Sequence, residues 1–76
     1  MEMVEEKERL EIINKVMESM PKDESLLLTL YYLEDNSVKD IVSITGLTES
    51  NIKVKLYRAR KRFADMINNL MKSESV

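Results

Sequence analysis

Apolar residues in the first twenty positions recur as Leu10, Ile13, Val16, Met17 and Met20, at three- and four-residue steps with polar side chains between them. That period predicts an amphipathic helix over about Val4 to Met17. Met20-Pro21 breaks it, because the residue before a proline is pushed out of the helical backbone region. Asp23 is placed to cap a second helix that runs to about Leu33, and Glu34-Asp35-Asn36 reads as a turn. Ser37, answered three residues on by Asp40, forms a capping box with a short acid, and opens a third helix that ends near Thr45. Gly46 is the only glycine in the chain, and a left-handed cap is its natural use there. Thr48 then caps a fourth helix, with Glu49 at the positive end of its dipole. This last helix is predicted to reach about Lys72, leaving residues 73–76 as a disordered tail. The expected fold is all-α: a small four-helix domain, the last helix longest.

The fourth helix carries two different faces. At 100° per residue, Ile52, Leu56, Ala59, Phe63, Met66, Ile67 and Leu70 gather on one side as a core stripe. Ser50, Val54, Tyr57 and Lys61 lie opposite, with Lys53 and Arg58 on the flanks. The short turn Thr45-Gly46-Leu47-Thr48 between two helices is a helix-turn-helix pattern, with Ile41, Leu47 and Ile52 positioned to pack together and set the crossing. In such a unit the N-terminal part of the second helix enters the major groove and the first helix crosses the phosphate backbone.

Composition narrows the chemistry. The chain has 76 residues, one glycine, one proline, no cysteine and no histidine. It therefore lacks thiolate ligands, imidazole ligands and the commonest general base. With no glycine-rich phosphate loop and no convergent carboxylate pair, nothing supports an enzyme, a metal site or a cofactor. The longest apolar run, around Leu26 to Leu33, is too short to span a bilayer, and the acidic start is unlike a signal peptide, so the expected compartment is the cytoplasm.

The net charge of −2 conceals a split. Residues 1–36 hold ten acids and four bases, a balance of −6; residues 37–76 hold four acids and eight bases, a balance of +4. Lys53, Lys55, Arg58, Arg60, Lys61 and Arg62 fall within ten residues of one another. Such an asymmetry points to a polyanion partner for the second half, against the plainer reading of a solvated helix face.

The segment from Ser37 to Arg60, SVKDIVSITGLTESNIKVKLYRAR, resembles region 4 of sigma-70 family factors, and the extracytoplasmic-function (ECF) group in particular. Ser50-Asn51-Ile52-Lys53 and Arg58-Ala59-Arg60 carry most of the likeness, and Met20-Pro21 stands where that family has Leu-Pro. The resemblance covers about Met20 to Leu70. It divides the chain into an N-terminal acidic helix or linker at 1–19, a region 4-like helix-turn-helix domain at 20–72 and the tail. Asp40 stands for a usual Glu, Val42 for a small Ala, Thr45 for Leu, and Ser25 for an arginine.

The resemblance implies sequence-specific binding of double-stranded DNA at promoter -35 elements, directing RNA polymerase to initiation, without catalysis. Lys53, Val54, Tyr57 and Arg58 would then face base edges or their flanking phosphates, on the same face that the helical wheel turns outward. Lys39, Thr48, Ser50, Asn51, Lys55 and Lys61 are the candidate phosphate contacts. Arg60 either joins them or pairs with an acid of the domain. The implied partners are the beta flap of the polymerase core and an anti-sigma factor; no membrane and no small-molecule substrate are expected. Leu10, Ile13 and Met17 belong to the core, or to a partner site if part of that stripe stays exposed. Two alternatives stand beside this reading. One is a stand-alone region 4-like module that binds polymerase or a sigma regulator; the other is an unrelated helix-turn-helix regulator.

Overall fold

The computed structural model describes residues 2–74, with side chains over 7–70. Every regular element among the described residues is helical: α1 (Glu2–Ser19), α2 (Lys22–Leu28), which continues into a π-helical turn (Thr29–Leu33), α3 (Val38–Thr45) and α4 (Glu49–Glu74). The all-α, four-helix expectation holds, and α4 is the longest at 26 residues. α4 is also the spine of the domain, since α1, α2 and α3 all pack on it.

The core is drawn from each helix: Val16 from α1 with Met20 just past its end, Leu27, Leu28 and Leu30 from α2 and its extension, Ile41 from α3, and Ile52, Leu56 and Ala59 from α4. Ile41 and Ile52 are both fully buried, one on each side of the short turn, and Leu47 packs against the same cluster. This is the wedge that the sequence spacing anticipates.

The turn chemistry explains why the chain reverses where it does. The Ser37 hydroxyl accepts from the Asp40 amide at 3.1 Å, and the Ser37 amide donates to the Asp40 carboxylate at 3.1 Å, closing the capping box. At the other end of α3, Gly46 adopts φ 78°, ψ 1°, and its amide donates to the Val42 carbonyl at 2.8 Å. The Thr45 hydroxyl donates to the Ile41 carbonyl and accepts from the Leu47 amide, tying the turn together from within. Thr48 caps α4 by accepting from the Asn51 amide at 3.2 Å.

Four expectations change. Leu10 is 61% exposed and is not a core residue; α1 turns Ile12 toward the cluster, with Val16 and Met20 fully packed. Asp23 does not cap α2: Pro21 holds the cap position and Asp23 lies inside the first turn, its carboxylate accepting from the Glu24 amide. The second helix does reach Leu33, but its last five residues widen into a π turn, with the Glu34 amide bonded to the Thr29 carbonyl at 2.9 Å. Asn36 closes this end, its backbone amide and its side-chain amide both donating to the Leu30 carbonyl at 3.0 Å. At the C-terminus, α4 includes Ser73 and Glu74, so the expected tail is helical over those two residues; its remainder, 75–76, lies outside the described residues.

Candidate nucleic-acid interface

Burial of Ile52, Leu56 and Ala59 fixes the rotation of α4 about its axis. The opposite side of the same turns must then face solvent. Val54 is 47% exposed and Tyr57 61% exposed, the two large apolar side chains that α4 holds outward in its first half. Lys53, Arg58 and Lys61 surround them, also exposed, and Ser50 and Asn51 are exposed at the helix start. All four of the predicted base-facing residues, Lys53, Val54, Tyr57 and Arg58, therefore share one accessible surface. Lys39 is exposed on α3, and Thr48 is exposed at the turn.

The cations of this helix differ in what they touch. Lys53 pairs with Glu49 one turn back at 3.2 Å, a solvent-exposed contact. Lys55 points off the exposed face and donates to the Asp23 carboxylate of α2 at 3.0 Å. Arg62 makes a forked contact with Glu24, Nε at 2.7 Å and Nη2 at 3.4 Å. Arg60 donates to the Tyr32 hydroxyl at 2.8 Å, so its partner is a phenol rather than the acid that was one of its two expected roles. Arg58 and Lys61 have no carboxylate partner among the described residues.

These contacts leave an electrostatic signature. The hydrogen bond from Lys55 is the main reason the Asp23 carboxyl sits below its ordinary value, with Coulombic attraction from Lys55 and the neighbouring amide adding to it. The hydrogen bond with Glu24, and then its charge, raises the Arg62 guanidinium above its already high value. Glu24 is the buried charged residue of the domain core, and the Arg62 fork satisfies it.

A second surface lies on the far side of α4. Ile13, Met17, Leu28, Tyr32, Leu33, Arg60 and Phe63 line an open groove of about 300 Å³. Leu33 is 69% exposed at its edge. The π turn contributes both Tyr32 and Leu33, and Tyr32 stacks edge-on against Tyr31 at 4.9 Å between ring centres. The periodicity of α1 foreshadowed Ile13 and Met17 in this groove, but nothing local in the sequence signals Tyr32, Leu33 or Arg60. The Asp23–Lys55 and Glu24–Arg62 links were equally hidden, since their partners stand 32 and 38 residues apart.

A small all-helical domain with a glycine-capped helix-turn-helix, and a basic, aromatic outer face on the second helix of that unit, has the architecture with which helix-turn-helix domains present a helix to the major groove. The family profile described as "Sigma-70, region 4" matches residues 10–63, which covers most of the chain and begins earlier than the resemblance drawn from Met20 onward. The chain belongs to the sigma-70 region 4 family. It is 33% identical over 64 residues to the ECF RNA polymerase sigma factor SigM of Bacillus subtilis (strain 168). The match takes in 84% of this chain and 39% of that protein, so the chain spans about two fifths of the relative's length. No solved structure gives a significant match. The family is one of non-catalytic transcription domains, and no helix among the described residues is long and apolar enough to cross a membrane.

Proposed function

We propose that this domain reads promoter -35 DNA in the major groove, as the region 4 of an ECF-type sigma factor acting in the cytoplasm. Its task is to direct RNA polymerase to initiation, with no catalytic step of its own. The observation that carries the reading is the exposure of Val54, Tyr57 and Arg58 on the face opposite the buried Ile52, Leu56 and Ala59. A ring, a branched aliphatic and a guanidinium with no carboxylate partner among the described residues share that face, a combination that suits contact with base edges. Arg58 supplies donors suited to guanine O6 and N7, Lys53 can do so when its exposed pair with Glu49 one turn back opens, and Val54 and the Tyr57 ring suit a thymine methyl. Lys39, Thr48, Ser50, Asn51 and Lys61 are placed for phosphates, which set register rather than sequence.

The test is selection of the 76-residue chain against a random duplex library at one stated salt concentration. The reading requires enrichment of one short asymmetric element, as expected of a monomeric reader. Enrichment of a palindrome would favour an unrelated dimeric helix-turn-helix regulator, and no enrichment at all would remove the DNA reading.

The apolar groove favours a second activity in the same domain, docking on protein. The partner proposed is the beta flap of the polymerase core, with an anti-sigma factor as competitor for the same surface. Exposed apolar patches rimmed by polar groups mark such contacts, and Met17 in the wall allows the surface to adapt. The variant Leu33→Gln changes the exposed side chain at the edge of the groove without altering the net charge, and should weaken binding to the isolated flap while leaving DNA affinity intact. If flap binding is unchanged in that variant, the groove is not the docking site. A chain that binds the flap but selects no DNA element would be the stand-alone regulatory module.

A further inference from the structure

Asn51, Lys55, Arg58 and Arg62 follow one another at steps of four, three and four residues, so they form a single stripe along one edge of α4. Three of the four are cationic, and this stripe borders the proposed recognition face. The two outer cations each have a carboxylate partner. Lys55 is held by Asp23 at 3.0 Å and Arg62 by Glu24 at 2.7 Å, both acids lying in the first turn of α2. Arg58, the middle member, has no carboxylate partner among the described residues.

We infer that Asp23 and Glu24 are specificity-determining residues for DNA binding: they occupy Lys55 and Arg62 and keep them from phosphates, so that Arg58 is the one cation of the stripe that meets the duplex. The inference rests on the DNA reading above. Contacts to phosphate add affinity for every sequence alike, whereas a base-edge contact separates one sequence from another. A domain that must discriminate among a large excess of nonspecific sites gains from having fewer phosphate contacts per base contact. The acids of α2 provide that balance inside the chain. Lys55 is consequently reassigned from candidate phosphate contact to masked cation. Glu24 also packs in the core, so Asp23, which is exposed, is the cleaner residue to probe.

The experiment measures binding of the full chain to random-sequence duplex over a salt series, for wild type, Asp23→Asn, Lys55→Ala and the double variant. Each released phosphate contact steepens the log-log salt dependence by about 0.9, equivalent to about 3.5-fold more loss of affinity over a fourfold rise in salt. Asp23→Asn should show that steepening, with tighter binding at low salt. Lys55→Ala alone should leave the slope unchanged, because the wild-type lysine is already engaged. The double variant should return to the wild-type slope at the wild-type net charge. Glu34→Gln changes the net charge equally without releasing a cation, and should leave the slope as in wild type. The inference is overturned if Asp23→Asn leaves the slope unchanged, if the steepening survives in the double variant, or if Lys55→Ala alone flattens it. Failure of the DNA reading looks different, since wild type would then show no salt-dependent binding even at the lowest salt. Circular dichroism on each variant confirms that the fold is retained before slopes are compared.

Discussion

Replacing Gly46 with alanine isolates one term of the fold. Gly46 sits at φ 78°, where a side chain crowds the following carbonyl, and its amide bonds the Val42 carbonyl. A Cβ built at this position meets nothing within 4 Å, so no packing clash adds to the backbone cost. The destabilisation should therefore equal the left-handed penalty for an L-residue, about 1–2 kcal/mol. In a chain of this size that lowers Tm by roughly 4–16 °C, given about 4–8 °C per kcal/mol. Gly46→Asn should lose clearly less, because asparagine tolerates the left-handed region. Thermal melts followed by circular dichroism at 222 nm give both numbers. Equal losses for Ala and Asn, or a loss well above 3 kcal/mol for Ala, would mean that something other than backbone conformation sets the turn. At temperatures far below the melt, Gly46→Ala should bind DNA as wild type does, since the turn's geometry is kept.

Other outcomes follow from burial and charge. Ile52→Ala removes a side chain that is fully buried at the helix-turn-helix wedge, and should cost about 2–5 kcal/mol in urea unfolding, enough to unfold much of so small a domain at 25 °C. The Asp23 carboxyl is held below its ordinary 3.8, so its link to Lys55 contributes stability at any pH above that value and loses it as the pH falls through the lowered folded-state value. The Tm difference between wild type and Asp23→Asn should accordingly be constant from neutral pH down to the carboxylate range, then close in stronger acid; a difference that grows in acid would reverse the sign of the linkage.

How far the sequence speaks depends on the range of the interaction. The capping box of Ser37 and Asp40, the left-handed Gly46 and the Thr48 cap are set by residues within four positions of one another, and each was legible from spacing alone. The outward rotation of α4 was legible for the same reason, since the buried stripe of Ile52, Leu56 and Ala59 declares its own opposite face. Leu10 was misread because periodicity marks which residues share a side, not how far along a helix its neighbours extend; the packing on α1 concentrates toward Val16 and Met20. The π turn at Thr29–Leu33 has no sequence signature in this chain, yet it is what presents Tyr32 and Leu33 to the groove. Asp23 looked like a cap because Asp before an apolar run usually is one, but Pro21 already occupies the cap and Asp23 is drawn to Lys55 across the domain.

The central claim is that the exposed face of α4 reads base sequence, and Arg58 tests it most directly. The measurement is the affinity of wild type, Arg58→Ala and Lys39→Ala for the selected duplex and for each of its single-base variants, at one salt concentration. Loss of a bidentate guanine contact should cost Arg58→Ala about 1–3 kcal/mol on the selected duplex, and should erase its preference at one base pair. Lys39→Ala should weaken all the duplexes by a common factor, with the preferences intact. If Arg58→Ala also weakens every duplex equally, Arg58 is a phosphate clamp and the face does not read sequence there; if its affinity is unchanged, the exposed face of α4 is not the DNA surface.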